Sequence, residues 1–273
     1  MHPIISRKEA VRILTSKERL ILSLDLGKTT EAIEIRENDA RIRDQIVPLD
    51  EFRKVKDEVL YVIMDNCVVK AAFFSEDTNF YYKLYPTSDW PTITFSSTPM
   101  HRHTNMSPKE DTMTKIKEIS PVKGVVLDTC CGLGYTAITA SRDADFVDTF
   151  ERDYNVLHAA SFNPWSEELF NSKKIKVHNK DILEGIKGFD DGYFDRIVHD
   201  PPTFKYSPEV YSKGFYKELY RVLRAGGMLY HYAPAPHKTR GEEFHKKIIK
   251  GLKEAGFKDV AYSEKSSGVR AIK

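Results

Sequence analysis

Four acidic residues, each following a short apolar run, are the side chains of this sequence best placed to do chemistry. They are Asp128, Glu151, Asp181 and Asp200, and they follow runs at 125–127, 146–150, 175–178 and 194–198. If these runs are parallel strands, their carboxyl ends meet at one edge of a sheet, where open α/β sheets bind ligands. The pattern therefore predicts a binding edge rich in carboxylates, which accept hydrogen bonds from groups such as ribose hydroxyls.

A turn of small residues after the first run supports a nucleotide-like ligand. The sequence from 124 to 134 is Gly-Val-Val-Leu-Asp-Thr-Cys-Cys-Gly-Leu-Gly, and a helical pattern begins at Tyr135. Glycines in such a turn let the backbone approach a nucleotide closely. The chain has no P-loop run, and Cys130 and Tyr135 replace the first and last glycines of the dinucleotide fingerprint. Alone, the turn would also suit any α/β sheet. The four strand-end acids favour the binding interpretation.

The periodicity of the remaining sequence predicts two domains. Residues 1–106 form a β-rich accessory domain, with strands expected at 20–26, 32–35, 60–63, 68–73 and 80–85 and short helices at 8–14 and 49–55. A helix start follows at Ser107-Pro-Lys-Glu110. Residues 107–273 then alternate between strands and helices. The fold class is therefore α/β, a Rossmann-like sheet with an N-terminal β-rich domain.

The residues after 107 resemble the class I S-adenosylmethionine-dependent methyltransferases. Asp128-x-Cys130-x-Gly132-x-Gly134 resembles their first motif, and 200–202, Asp-Pro-Pro, resembles their catalytic-loop motif. The run 223–227, Leu-Arg-Ala-Gly-Gly, resembles a turn that precedes the fifth strand. The sequences 163–165 and 199–204 also resemble a family of predicted archaeal methyltransferases that are named mostly by fold. The resemblance implies a seven-stranded sheet whose last strand is antiparallel.

The same resemblance implies the site residues and the cofactor, S-adenosylmethionine. The implied cofactor-binding residues are Asp128, Thr129, Cys130, Gly132, Gly134, Glu151, Asp181 and Ile182. The implied catalytic residues are Asp200, Pro201, Pro202 and Phe204. We expect Met100, His101, Arg102 and Tyr206 to contact the substrate. Glu151 corresponds to the acid that binds the ribose, and Asp181 to the acid that meets the adenine amino group.

The chemistry expected of this loop is direct transfer of an activated methyl group. Asp200 would accept a hydrogen bond from an amine while positive charge builds on it. Phe204 or Tyr206 would stack on a planar acceptor. Amine methyltransferases usually place an aromatic directly after the two prolines. Here Thr203 precedes Phe204, an order that also resembles some ribosomal RNA base methyltransferases. No cysteine follows Cys131, which argues against the cysteine nucleophile of carbon-5 pyrimidine methylation.

Composition agrees with a cytoplasmic enzyme, whereas the loop motif and the resemblance favour an RNA base or another large planar acceptor. The 273 residues carry a net charge of +2, with a basic excess after residue 205 that includes Lys246 and Lys247. This excess fits a solvated helix face as well as a phosphate-binding surface. The sequence shows no membrane span or secretion signal, and its three cysteines form no disulfide framework. No histidine spacing matches a zinc signature, so we expect no metal. The sequence features do not indicate whether the protein is a monomer or an oligomer.

Two other functions remain open at this point. The first is an aminopropyltransferase, which would use decarboxylated S-adenosylmethionine. It stays open because polyamine synthases pair a small β domain with the same sheet. Its amine site would be rich in acids, whereas the loop at 200–206 offers few beyond Asp200. A non-catalytic RNA- or protein-binding module could also retain this fold, although the intact strand-end acids argue against it.

Overall fold

Three small antiparallel sheets form the first hundred residues of the protein. The computed structural model describes residues 2–233 and 241–273. The elements are β1 (Ile4–Ile5), α1 (Arg7–Thr15), β2 (Arg19–Leu22), β3 (Glu31–Ile35), β4 (Asp39–Ile42), β5 (Gln45–Pro48), α2 (Leu49–Arg53), β6 (Tyr61–Met64), β7 (Cys67–Lys70), β8 (Ala72–Ser75), β9 (Phe80–Tyr85), β10 (Thr92–Phe95) and β11 (Thr98–Pro99). The strand orders are β1-β6-β7, β2-β3-β4-β5 and β11-β10-β9-β8. The predicted β-rich character of this region is confirmed.

Residue 71 shows why the strand predicted over 68–73 is divided in two. β7 pairs with β6, whereas β8 pairs with β9 in a different sheet. At the junction the Ala71 amide donates to the Leu60 carbonyl, and the Leu84 amide donates to the Ala71 carbonyl. The chain therefore changes sheets at Ala71, which a continuous apolar run does not reveal.

The remaining elements alternate between strand and helix. They are α3 (Pro108–Lys117), β12 (Val125–Asp128), α4 (Tyr135–Ser141), β13 (Phe146–Phe150), α5 (Tyr154–Ser161), α6 (Glu167–Asn171), β14 (Ile175–His178), α7 (Ile182–Gly185), β15 (Phe194–His199), α8 (Lys213–Val222), β16 (Leu223–Tyr232), α9 (Gly241–Ala255), β17 (Lys258–Ser263) and β18 (Gly268–Ile272). Short 3-10 turns lie at 164–166, 186–188 and 208–211.

The seven later strands form one mixed sheet in the order β14-β13-β12-β15-β16-β18-β17. The pairings among β14, β13, β12, β15 and β16 are parallel, and β18 runs antiparallel to both of its neighbours. The predicted Rossmann-like sheet with an antiparallel last strand is confirmed. The strand order reverses at β12, so the carboxyl ends of β12 and β15 flank a topological switch point, the usual ligand site in such sheets.

The sequence 223–227, which resembles a turn, instead belongs to the first part of β16. Gly226 has φ +74°, and its amide donates to the Lys273 carbonyl. The register with β15 shifts between Phe194 and Arg196, where the chain forms a bulge. Glycines permit this irregular pairing because they tolerate positive φ. The predicted strand at 228–232 therefore starts five residues earlier than expected.

Helix α8 shows how the sheet is covered. Its residues Phe215, Tyr216, Leu219 and Val222 are buried and recur at the spacing of one helix face. The Ser212 side chain accepts a hydrogen bond from the Phe215 amide and caps the helix. With strand residues such as Leu229, this face forms the core of the sheet domain.

The chain folds as two compact units that do not follow the sequence order strictly. One comprises residues 1–109 and 155–167, and the other comprises 110–154 and 168–273. Within the first unit the Trp165 indole donates to the Leu26 carbonyl, and Lys28 forms an ion pair with Glu167 at 2.8 Å. The domain boundary expected near residue 106 stays a prediction. In the described ranges, no helix combines the length and apolarity required to cross a bilayer.

Candidate active site

The small-residue turn joins β12 to α4 at the switch point of the sheet. Gly132 and Gly134 have φ values of +54° and +83°, a region that favours glycine. A Cβ added to Gly134 would lie 2.8 Å from the Leu169 side chain. The Cys131 amide donates to the Phe150 carbonyl at 2.7 Å, which ties the turn to the end of β13. Gly134 is therefore required by both conformation and space, and Gly132 by conformation.

Asp128 lies beneath this turn and is fully buried. Its carboxylate accepts hydrogen bonds from the Thr149 hydroxyl at 2.7 Å and the Thr136 hydroxyl at 3.2 Å. Burial raises the pKa of Asp128 from 3.8 to about 7, although the two hydroxyl donors favour the carboxylate. The side chain links β12, β13 and α4, so it holds the turn in place from below.

Glu151 follows β13 and contacts the same turn. One carboxylate oxygen accepts from the Gly132 amide and the other from the Asp153 amide, each at 3.0 Å. Removal from bulk water raises the pKa of Glu151 from 4.5 to about 7, against the effect of these two amides. A carboxylate has about four acceptor sites, so capacity remains for two ligand hydroxyls. This arrangement fits the predicted role in binding a ribose.

Asp181 and Ile182 begin helix α7. The Asp181 carboxylate accepts from the Leu183 amide at 2.9 Å and lies 3.8 Å from the Arg152 guanidinium. The same guanidinium donates to the Tyr206 carbonyl at 3.4 Å. Arg152 thereby connects the end of β14 with the loop after β15. Ile182 is buried and provides apolar surface there.

Asp200 is held by a buried lysine that the sequence analysis did not identify. Lys115 of α3 is 4% exposed, and its ammonium lies 2.6 Å from the Asp200 carboxylate and 2.8 Å from that of Asp111. Burial alone would lower the pKa of Lys115, but the two carboxylates outweigh it and hold the pKa above its usual range. The ammonium also lies 5.1 Å from the centre of the Tyr232 ring. Asp200, the residue that follows β15, therefore forms an ion pair with Lys115.

The Asp111–Lys115 spacing was the one signal in the sequence that could have identified this lysine. An acid four residues before a lysine on one helix face forms a favourable pair. The chain contains 42 lysines and arginines, however, and most such pairs lie on solvated faces. The burial of Lys115 follows from how α3 packs, which local spacing does not encode.

The loop after Asp200 is stiff and presents an aromatic ring. Pro201 is buried, and the Tyr211 hydroxyl donates to the Pro202 carbonyl at 2.9 Å. Phe204 is 51% exposed, and its ring centre lies 5.7 Å from that of Tyr211 and 5.8 Å from that of Phe244. These neighbours support the Phe204 ring while leaving about half of it accessible. Tyr206 is exposed in the same loop.

Two buried histidines support the loop from inside the sheet. His199 Nε2 lies 3.1 Å from the Val210 carbonyl, which only accepts, so Nδ1 accepts from the Thr129 hydroxyl at 2.7 Å. His231 donates from Nδ1 to the Tyr232 carbonyl and accepts from the Tyr216 hydroxyl. Burial lowers the pKa of His199 well below its usual value and that of His231 to about 4. His199 is therefore hydrogen-bonded through both ring nitrogens, and its lowered pKa favours the neutral form.

The two cysteines of the turn keep their protons. Burial is the main cause that raises the pKa of the Cys130 and Cys131 thiols well above the usual value, and the nearby carboxylates raise it further. The carboxylates that act on Cys130 include Glu151, Asp128 and Asp200. The structure thus brings these three strand-end acids together around the turn. A thiol with a raised pKa carries little of the nucleophilic thiolate at neutral pH.

The predicted substrate residues Met100, His101 and Arg102 belong to the first unit. The Met100 amide donates to the Ile93 carbonyl, and the His101 amide and ring both bond to the Thr92 hydroxyl. The Arg102 guanidinium lies 3.4 Å from the Met106 sulfur. The segment is thus anchored beside β10, and its contact with a substrate stays a prediction.

Comparisons with known proteins bear on the family and the fold of the chain. The family model described as methyltransferase small domain matches residues 112–248. The uncharacterized protein MJ1233 of Methanocaldococcus jannaschii is 43% identical over 278 aligned positions, which cover 98% of this chain and 95% of that protein. A crystal structure of spermidine synthase with a transition-state analogue superposes with a TM-score of 0.57 at 15% identity, covering 73% of this chain and 71% of the other. The spermidine synthase of Thermotoga maritima gives 0.55 at 14%, covering 73% and 70%. At such identities the two structures show a shared fold alone.

Proposed function

Because the chain belongs to the methyltransferase small domain family, we propose that it transfers a methyl group from S-adenosylmethionine directly to an RNA base. The observation that carries the proposal is the Asp200 carboxylate, paired with Lys115 at 2.6 Å and followed by two prolines and the half-exposed Phe204 ring. A hydrogen-bond acceptor next to an accessible ring suits a planar acceptor that bears an amino group.

The residues at the strand ends fit the cofactor. The glycines at 132 and 134 leave the turn without side chains that would block a ligand. The Glu151 carboxylate retains acceptor capacity for ribose hydroxyls, and Asp181 would accept from the adenine amino group. When bound, S-adenosylmethionine supplies a methyl group already activated by its sulfonium centre. The protein therefore needs no covalent intermediate, in agreement with the protonated Cys130 thiol.

Positioning and charge stabilisation are the tasks of this chain's own residues. Asp200 accepts a hydrogen bond from the acceptor amine and stabilises the positive charge that develops on it. Lys115 fixes the orientation of that carboxylate, and Pro201 and Pro202 restrict the loop around it. Phe204 stacks on the acceptor, a contact of about 1–3 kcal/mol for a nucleobase.

An aminopropyl transfer is less well supported by the site. The shared fold with spermidine synthases does not carry their substrates to this chain, because identity is 14–15%. A polyamine acceptor is a polycation, and the Lys115 ammonium offsets negative charge at Asp200. We therefore expect no product with decarboxylated S-adenosylmethionine and a diamine.

Methyl-labelled S-adenosylmethionine tests the proposal. The protein is incubated with the RNA, protein and small-molecule fractions of a cell extract. The labelled material is then treated with nuclease to show whether the label is on RNA. We expect nuclease-sensitive label that Asp200→Asn removes and the matched exposed-acid variant Glu209→Gln retains. Label confined to protein or small molecules would reject RNA as the acceptor. Equal labelling by wild type and Asp200→Asn would reject the role of Asp200, and no labelling in any fraction would favour a non-catalytic module.

A further inference from the structure

The first unit contains a cavity that the proposed function does not use. It has a volume of about 450 Å³ and lies among the start of α1, the loop before β6, the end of β7 and strand β9. Its charged lining residues are Arg7, Lys56, Asp57, Glu58, Lys70 and Lys83. Cations outnumber carboxylates four to two, although the chain as a whole carries only +2. The cavity is therefore a local basic site.

The four cations differ in how far they are engaged, and Lys83 Nζ lies 5.3 Å from the centre of the Tyr85 ring. Arg7 is engaged, because its guanidinium lies 3.6 Å from Asp57 and donates to the Val55 carbonyl at 2.7 Å. Within residues 2–233 and 241–273, Lys56, Lys70 and Lys83 form no ion pair within 4.0 Å. Like charges gathered at one cavity repel one another, so an anion bound among them would relieve this repulsion.

Two exposed aromatic side chains lie beside the lysines. Tyr81 lines the cavity and is 38% exposed, and Phe74 on the neighbouring strand is 55% exposed. The two residues are direct partners in the β8–β9 register, so their side chains point to the same face of the sheet. Lys83, two residues after Tyr81, shares that face. The face therefore alternates aromatic and cationic groups.

We propose that this cavity binds single-stranded RNA, with the lysines on the phosphates and Tyr81 and Phe74 stacked on bases. A basic groove with adjacent aromatic rings is how proteins hold single strands, whereas rings cannot reach the bases of an intact duplex. The inference rests on the proposed function only for the choice of RNA, since the charges and rings themselves favour any single-stranded nucleic acid. It gives the β-rich unit a role in acceptor binding.

The proposal can be tested by fluorescence anisotropy with a labelled single-stranded RNA. A length of about 12 nucleotides lies within the range of single-strand site sizes. The variant Lys70→Gln/Lys83→Gln in the full chain removes two phosphate contacts. Each phosphate contact to a single strand contributes about 0.7 to the slope of log affinity against log salt concentration. The magnitude of that slope should therefore fall by about 1.4 in the double variant, and the affinity at 0.1 M salt should fall about 25-fold. Lys17→Gln/Lys187→Gln is the matched control, because it removes the same charge from exposed sites elsewhere.

The aromatic contribution has a different signature. Tyr81→Ala should weaken RNA binding by about 5- to 150-fold, the range for loss of one stacked base, with an unchanged salt slope. Circular dichroism confirms that each variant is folded. If the cavity variants bind RNA as tightly as the control, or if poly-glutamate competes as well as RNA does, the proposal is wrong.

The failure of this proposal is separable from failure of the proposed function. Calorimetry with S-adenosylmethionine reports on the methyltransferase site without RNA. Cofactor binding with no RNA binding overturns the cavity proposal alone. RNA binding that depends on Lys70 and Lys83 but occurs without any cofactor binding supports the cavity proposal and rejects the methyltransferase assignment.

Discussion

Replacing Lys115 by methionine should destabilise the sheet unit strongly. The ammonium is buried and neutralises two carboxylates at 2.6 and 2.8 Å, one of them on Asp111, which is 1% exposed. Methionine fills similar volume but leaves the carboxylates without that positive charge. Removing one partner from a buried ion pair costs about 3–5 kcal/mol. At a urea m-value of about 2–3 kcal/mol/M, the unfolding midpoint should fall by about 1–2.5 M.

Urea titrations followed by circular dichroism measure this effect. Both tryptophans, Trp90 and Trp165, lie in the other unit, so their fluorescence shows whether that unit unfolds in the same transition. Lys117→Met, an exposed lysine two residues along the same helix, is the control and should change stability by less than about 0.5 kcal/mol. Lys115→Met/Asp111→Asn should recover part of the loss. A Lys115→Met variant within about 1 kcal/mol of wild type would refute the reasoning.

The remaining predictions concern the strand-end acids. Glu151→Ala should weaken S-adenosylmethionine binding about ten- to a hundredfold in calorimetry, because hydrogen bonds to a charged group contribute about 1.5–3 kcal/mol; unchanged affinity would exclude Glu151 from the ribose site. Asp200→Asn should abolish methyl transfer while cofactor affinity stays within about tenfold, and an equal loss of both would make Asp200 a binding or folding residue. The folded-state pKa of Asp128 is raised from 3.8 to about 7, so its proton stabilises the folded state at low pH and this contribution is lost as pH rises through that window, by up to about 1.4 kcal/mol per pH unit. Asp128→Asn should show a flatter dependence of urea midpoint on pH between 4 and 7, and an identical dependence would contradict the assignment.

The sheet could be predicted from sequence because its strands are short apolar runs that end at acids. The runs at 146–150 and 175–178 coincide with β13 and β14. β4 and β5 escaped prediction because Asp39–Ile42 and Gln45–Pro48 are only four residues each and mix polar with apolar side chains. Their partners lie on neighbouring strands, and pairing supplies the stability that local propensity lacks.

The site was predicted less completely than the fold. Asp128, Glu151 and Asp200 were identified from their positions after strands, and the structure brings them together around Cys130. Lys115 was not identified, because its function depends on tertiary contact between α3 and the end of β15. Strand ends are visible in a sequence as local patterns, whereas a partner 85 residues away is not.

The assignment of residues 155–167 to the first unit has a consequence for synthesis of the protein. The β-rich unit cannot reach its final set of contacts until the ribosome has added the 58 residues from 110 to 167. At about 5–20 residues per second, this delay is about 3–12 s, during which β12 and β13 have also been made. Until then the Leu26 carbonyl and Lys28 lack the partners supplied by Trp165 and Glu167. The β-rich unit therefore cannot complete its folding when residue 109 has been added, although its last residues are still made before those of the sheet unit. Chimaeras joined at residue 109 would separate it from part of its own structure.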